Sequence, residues 1–126
     1  MQSTNIAKQV VVSYLKALND QDFKTARNYL HDDMSFLAPI ASYNSADEYF
    51  KSNEQLRSKY GIEKVLYDIK KVFVDGDNVC VFFDFNIGSS TTLFACGWFQ
   101  VNDGKISSIR VVFDPRPIAE LGKPLA

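Results

Sequence analysis

The chain of 126 residues has little of what several common protein classes require. It contains two cysteines, four prolines and one histidine, and its formal net charge is -1. Two cysteines cannot build a disulfide framework, and without clustered histidine or cysteine the adjacent Asp32 and Asp33 are a weak sign of a metal site. The balance of 14 basic and 15 acidic residues argues against binding to nucleic acid or to an anionic membrane surface.

Long apolar runs and targeting signals are also missing. No uninterrupted apolar span approaches the roughly 18 residues that a transmembrane helix needs. The first residues, Met-Gln-Ser-Thr-Asn, lack the charged region and apolar run of a secretory signal. We therefore expect a soluble, cytoplasmic protein without a metal or organic cofactor. Cys80 and Cys96 both lie inside predicted strands and are expected to be reduced core residues.

Apolar and aromatic residues are plentiful instead. The hydrophobic share is 46% and the aromatic share 13%, with ten phenylalanines and six tyrosines. A chain of this length forms one domain by the usual size prior, and it buries about two thirds of the surface that its unfolded state exposes. We therefore predict a single domain over residues 1–126, with apolar surface left over for a pocket or an interface.

Three helices are predicted in the first half of the chain. Apolar residues at a spacing of 3.6 indicate a helix over residues 4–19, and a second helix is predicted over residues 22–30. Ser45 and Glu48 have the form of a capping box, which predicts a third helix directly after them. Gly61 can end that helix in the left-handed conformation.

Strands dominate the second half. A short strand over residues 34–38 is halted by Pro39, which cannot donate to a ladder. Alternating patterns then predict four longer strands over residues 64–74, 78–87, 92–101 and 105–113. The links between them are short, so the pairs are antiparallel, and an Asp-Gly step marks the last hairpin. The tail 114–126 carries three prolines and should lie across an edge or fray. This pattern predicts an α+β fold in which a strongly curved antiparallel sheet wraps three N-terminal helices and leaves a cavity.

This order of elements resembles the nuclear transport factor 2-like superfamily of cone-shaped α+β barrels, including the SnoaL-like polyketide cyclases and the ketosteroid isomerases. The residues that carry the resemblance are residues 11–22, Leu30-His31-Asp32-Asp33, Ala38-Pro39 and residues 104–113. The resemblance covers about residues 6 to 116 and implies the cone-shaped barrel. It is less specific for function, because this scaffold hosts enzymes, binding modules and assembly domains.

The ketosteroid isomerases use a tyrosine on the first helix as an oxyanion donor, an aspartate before a proline as general base, and a second, protonated aspartate. By resemblance these positions fall on Tyr14, Ala38 and Gly97. Alanine and glycine cannot transfer a proton. The sequence therefore argues against steroid-type isomerisation, while Tyr14 can still donate to a ligand oxygen or simply be a core tyrosine with one backbone partner.

Strand alternation predicts which side chains face the cavity. On the last two strands the inward set is Ala95, Gly97, Phe99, Val101, Ile109, Val111 and Phe113. Counted back without a gap through residues 88–90, the preceding strand is expected to point Cys80, Phe82, Asp84 and Asn86 inward, and Cys80 and Cys96 should then lie on opposite faces. A slip of one residue would instead send Asp84 to solvent.

An inward Asp84 would be the residue of greatest functional interest in the chain. Surrounded by phenylalanines, its carboxylate would be desolvated, its pKa would rise, and it could act as a general acid or base or hold a polar ligand group. The epoxide hydrolases of the superfamily also use an aspartate in this sheet, but their partner aspartate would fall at Val111. Hydrolysis is therefore not predicted.

The predicted site is an apolar pocket with Asp84 and Tyr14 as catalytic candidates. Its ligand-binding candidates are Tyr14, Phe36, Ala38, Phe82, Asp84, Asn86, Gly97, Phe99, Ile109, Val111 and Phe113. Asn86 has an ordinary alternative, because asparagine is common near turns. The first hypothesis is a SnoaL-like domain for a small hydrophobic molecule, which as an enzyme would be a cofactor-independent isomerase, cyclase or lyase.

The outer face of the sheet supplies the alternative hypothesis. Phe94, Cys96, Trp98, Arg110 and Val112 should lie there, and such an aromatic set is covered either by the tail or by a second subunit. We expect a homodimer through this face. The alternative function is a non-catalytic dimeric binding or assembly module whose cavity is filled by its own side chains.

Overall fold

The computed structural model describes residues 2–62, 64–88 and 91–117. These residues form three helices and six strands. In chain order the elements are α1 (Gln2–Asn19), α2 (Phe23–Asn28), β1 (Leu30–Ala38), β2 (Ala41–Tyr43), α3 (Ala46–Tyr60), β3 (Val65–Asp75), β4 (Asn78–Ile87), β5 (Thr91–Asn102) and β6 (Lys105–Phe113). Within this part of the chain no helix is both long and apolar enough to cross a bilayer. The predicted course of the tail beyond residue 117 lies outside the described residues.

The predicted ends of α3 are confirmed. The Ser45 hydroxyl accepts a hydrogen bond from the Glu48 backbone N–H at 3.1 Å, which satisfies one of the free donors of the first turn. Gly61 ends the helix at a φ of 65°, a conformation that glycine adopts without steric cost. Both ends of α3 are therefore fixed by local sequence, and with them the side chains that α3 turns toward the sheet.

The six strands form one curved, unclosed sheet in the order β2-β1-β6-β5-β4-β3. Helix α1 packs against β3, β4, β5 and β6, and α3 packs against β1 and β2, so both helices lie on the concave side. The α+β class is confirmed, but the sheet is mixed, because β1 runs parallel to β6. Strand β1 starts at Leu30 rather than residue 34, since Leu30 already pairs with Ile106.

The predicted inward positions of β5 and β6 agree with the observed pairing, while those of β4 are wrong. Val81 pairs with Gly97 and Phe83 with Ala95, so the odd-numbered residues of β4 share the inner face. Three residues separate Ile87 from its partner Thr91. Because this number is odd, odd-numbered residues of β4 pair with odd-numbered residues of β5, and paired residues share a face. Residues Cys80, Phe82, Asp84 and Asn86 therefore lie on the outer face.

The same correction applies to the cysteines, which share a face instead of lying on opposite ones. Cys80 pairs with Trp98 and Cys96 pairs with Phe82, so the two thiols are diagonal neighbours on the outer face. Both are free, and their Sγ atoms are 3.2 Å apart.

We expect a mild oxidant such as diamide to join Cys80 and Cys96 within one chain, because their Sγ atoms are already 3.2 Å apart. Diagonal positions on paired strands lie roughly 7–8 Å apart at Cα, so the strands must also draw together locally when the bond forms. Burial, followed by the hydrogen bond with Cys80, raises the pKa of Cys96 to about 11. The Cys96 thiolate is therefore scarce at neutral pH, and the reaction should accelerate as pH rises. Mass spectrometry would show the loss of two hydrogen atoms, absent in Cys80→Ser. Thiols that remained titratable in the oxidised folded protein would contradict this geometry.

Candidate functional site

The concave side of the sheet and the helices α1 and α3 enclose a largely apolar cavity of about 290 Å³. This volume is near the lower end of the range for small-molecule sites, roughly 300–1,000 Å³. Its aromatic lining consists of Tyr14, Phe36, Tyr43, Tyr49, Phe50, Tyr60, Tyr67, Phe83, Phe85, Phe99 and Phe113. A second depression lies on the surface of α1 beside Lys8 and Ser13. It is more open than the cavity, and the residues that line it all belong to α1, so we place the candidate site in the cavity.

Seven of the eleven candidate residues line this cavity, namely Tyr14, Phe36, Ala38, Phe99, Ile109, Val111 and Phe113. Gly97 faces inward but lies beneath the Phe99 ring, where a Cβ atom would be only 2.8 Å from Phe99 Cε1. Phe82, Asp84 and Asn86 are on the opposite side of the sheet, as the β4 register requires.

Asp84 is part of a charged group on the outer face. Its Oδ2 lies 3.7 Å from the Lys70 ammonium, which is 2.9 Å from Asp68 on the neighbouring strand. These side chains are about a third to a half exposed, so solvent screens their attraction. Asp84 therefore lies outside the cavity and cannot have the catalytic role predicted for it there.

Tyr14 lies where the sequence predicts, on the buried side of α1 with 1% of its surface exposed. Its ring meets the Phe99 ring edge-on, with centroids 6.4 Å apart. Its hydroxyl is buried and makes no well-formed hydrogen bond to a described residue, although the Tyr49 hydroxyl is close enough for a weak hydrogen-bonding contact that affects the pKa of both groups. Burial, and then the nearby Tyr49 and Tyr67, raise the pKa of Tyr14 well above its usual value, so the hydroxyl keeps its proton at neutral pH.

Two further tyrosines accompany Tyr14. Burial is also the main cause that raises the pKa of Tyr49, on α3, and of Tyr67, on β3. Tyr49 stacks on Phe36 at 4.5 Å between centroids. Tyr67 is held through its backbone, because the Asn19 side chain accepts from its N–H at 2.7 Å and donates to its carbonyl at 2.9 Å. We call Tyr14, Tyr49 and Tyr67 the tyrosine cluster.

The sequence reading missed Tyr49, Asn53, Arg57 and Tyr67 as cavity residues. The residues from α3 carried a usable signal, since positions 49, 53 and 57 recur at four-residue intervals on one helix face. The guanidinium of Arg57 lies over the Phe23 ring, with its Cζ atom 4.4 Å from the ring centroid, which is within the range of a cation–π contact.

The described residues that line the cavity offer hydrogen-bond donors and apolar surface. Among the described residues that line it there is no aspartate, glutamate, histidine or lysine. The described residues also form no group of three potential metal ligands. The arrangement can enclose an apolar body and donate hydrogen bonds from phenols, an amide and a guanidinium.

Comparison with known families gives a match to the family described as "SnoaL-like domain" over residues 11–109. A search of curated protein sequences found no match. The match spans most of the chain, from the middle of α1 to the cavity-lining Ile109 of β6.

Solved structures with the same fold include an NTF2-like protein of unknown function from Cytophaga hutchinsonii. It is 28% identical with a TM-score of 0.79, over 90% of this chain and 94% of that one. An epoxide hydrolase from M. tuberculosis described as LEH-like is 25% identical with a TM-score of 0.75, over 94% and 90% of the two chains. Bal32a, from a soil-derived mobile gene cassette, has a TM-score of 0.84 at 16% identity, over 96% and 99%.

Proposed function

The chain belongs to the SnoaL-like domain family, and from that premise we propose that it binds a small, largely apolar molecule in the cavity. A polar group of the ligand would receive a hydrogen bond from the Tyr14 hydroxyl, and Tyr49 and Tyr67 would surround it. The aromatic lining would hold the apolar body. No metal or organic cofactor is part of this proposal.

The observation that carries the proposal is the buried hydroxyl of Tyr14, which makes no well-formed hydrogen bond to a described residue. An unsatisfied buried polar group costs about 1–3 kcal/mol, and cores seldom keep one without a purpose. Here the side chain that bears it borders the cavity, while the hydroxyl oxygen itself is fully buried. A ligand oxygen could supply a partner once the surrounding side chains shift to expose that oxygen. The empty space in the cavity also argues against the alternative in which the protein's own side chains fill it.

Binding is favoured over catalysis by the groups that the cavity lacks. Acid–base chemistry at neutral pH needs a group whose pKa lies near the working pH. The described lining residues include no carboxylate or imidazole, and the pKa values of Tyr14, Tyr49 and Tyr67 are all raised. If the protein is an enzyme, Tyr14 would act as hydrogen-bond donor to a developing oxyanion, and the substrate would have to react without a carboxylate base.

Native mass spectrometry of the protein as purified from cells tests the proposal. We expect a small additional mass on the wild-type chain and a reduced share of it on Tyr14→Phe. Dissociation of that species would give the mass of the ligand. A wild-type protein without added mass, which also fails to bind apolar dyes while folded, would contradict a binding function.

Tyr14→Phe should raise the stability of the ligand-free protein by about 1 kcal/mol, because it removes a buried hydroxyl that makes no well-formed hydrogen bond to a described residue. Tyr43→Phe is the matched control. The Tyr43 hydroxyl lies 2.7 Å from Ser52 Oγ, so its loss breaks a hydrogen bond and should lower stability by about 1 kcal/mol. Urea unfolding monitored by circular dichroism would measure both changes. Equal losses in the two variants would show that the Tyr14 hydroxyl is satisfied in solution.

We also propose that the chain forms a homodimer through the outer face of the sheet. Six large apolar side chains on this face are exposed, namely Leu37, Leu66, Phe73, Phe94, Trp98 and Val112. Single exposed apolar residues are ordinary, but Phe73, Phe82 and Phe94 form a run of rings with centroids 6.0 Å apart on this face, next to charged side chains, and such a run favours an interface. A dimer that binds or assembles without catalysis is the second candidate function, and it is favoured over an enzyme because the described lining residues include no carboxylate.

A further inference from the structure

Arg57 is the one formally charged side chain among the described residues that line the cavity. It lies in the last turn of α3 and is half-buried. No described carboxylate comes within ion-pair distance of it, whereas Arg27 bonds two aspartates and Arg116 bonds Asp114, at 2.6 to 3.0 Å. The described lining of the cavity therefore includes a cation for which no described residue supplies an anionic partner.

The surroundings of Arg57 make an anionic partner favourable. Its guanidinium is fixed over the Phe23 ring, and an arginine offers five N–H donors that an aromatic face cannot satisfy. A carboxylate or similar anion would accept those donors in a charge-assisted geometry, in a place where apolar side chains limit screening by water.

The charge of Arg57 also reaches the tyrosine cluster. Burial raises the pKa of the Tyr67 hydroxyl, and the positive charge of Arg57 partly opposes that effect. The guanidinium is thus near enough to Tyr67 to favour a negative charge at that hydroxyl. Arg57 carries the one formal charge among the described lining residues, and that charge is positive. The cavity therefore favours anions over cations.

We propose that the cavity selects apolar ligands that carry one negative charge, with Arg57 holding the charged group and the aromatic side chains enclosing the rest. This inference rests on the proposed binding function and narrows it to apolar acids: carboxylates, sulfonates, or enols and phenols that ionise. A neutral lipid or a cationic amine would bind weakly.

Two dyes with the same skeleton test the charge preference. The anionic probe is 8-anilinonaphthalene-1-sulfonate and the neutral probe is N-phenyl-1-naphthylamine, which lacks the sulfonate. We expect Arg57→Gln to weaken the anionic probe about 10-fold, the loss of one charge-assisted contact, while the neutral probe changes little. Fluorescence titration at constant ionic strength measures both affinities, and circular dichroism checks folding.

Two control variants complete the experiment. Lys51→Gln removes the same charge from an exposed position on α3 outside the cavity lining, and it should leave both affinities unchanged. Val111→Trp fills the cavity from β6 and should weaken both probes. Equal weakening of both probes by Arg57→Gln, or of neither, would overturn the charge preference while leaving binding intact. Failure of the folded wild type to bind either probe would overturn the binding function itself.

Discussion

Replacing Gly97 with valine is expected to destabilise the fold by about 3 kcal/mol, although valine favours strands more than glycine does. A Cβ atom at position 97 would lie 2.8 Å from Phe99 Cε1 and 3.4 Å from Phe83 Cε1. Phe99 is 2% exposed and packs against Tyr14, so its ring cannot swing aside without disturbing the cavity. Urea unfolding would measure the loss, with Gly97→Ala as an intermediate step.

A double-mutant cycle separates this steric cause from others. Phe99→Leu removes the ring atom that the new side chain would meet, at the cost of a cavity. Because the two residues are in contact, Gly97→Ala should cost less in the Phe99→Leu background than in the wild type, with a coupling of about 1 kcal/mol or more. Additive losses would show that the Phe99 ring does not restrict position 97. Thus glycine at this position accommodates Phe99 and Tyr14 at the cavity wall.

Much of the fold could be predicted because its determinants are local. The capping box at Ser45, the left-handed Gly61 and the Asp-Gly turn before β6 each act within a few residues. The pairing of β1 with β6 depends on residues more than seventy positions apart in the sequence. Local patterns carry no information on such a contact, and for this reason the parallel pair was missed.

The candidate site was predicted less completely, and the reason is strand register. The sequence assigns the side chains of β5 and β6 to the correct face. It assigns those of β4 to the wrong face, because the count through the connection after Ile87 is off by one residue, and this error places Asp84 inside. Tyr67 shows a second limit. A β-bulge between Ile69 and Lys71 shifts the register of β3, and this shift sets Tyr67 opposite Phe85, on the inner face. A continuous ladder counted from the turn at Gly76 would have placed Tyr67 outside.

A substitution on the outer face of the sheet is expected to have a large effect on dimerisation. Trp98→Glu is expected to convert a dimer into a monomer at micromolar concentration. Trp98 lies on the central strand β5, and its indole N–H donates to Asn78 at 2.9 Å while Arg110 lies over its ring. A buried tryptophan at the centre of an interface typically contributes about 2–4 kcal/mol, which is roughly 30- to 1,000-fold in the dissociation constant. In a two-fold dimer each substitution also occurs twice, so the interface would have to accommodate two new carboxylates.

Sedimentation equilibrium of the wild type and the variant measures this effect, and Leu56→Glu is the matched control. Leu56 and Trp98 are both 42% exposed, but Leu56 lies on α3, on the concave side of the sheet. A charge at position 56 should therefore leave the dimer intact, although Leu56 has the same fraction of its surface exposed as Trp98. If Leu56→Glu dissociates the dimer and Trp98→Glu does not, the subunits associate through the helical side instead. A wild type that sediments as a monomer would mean that the apolar outer face has some other role.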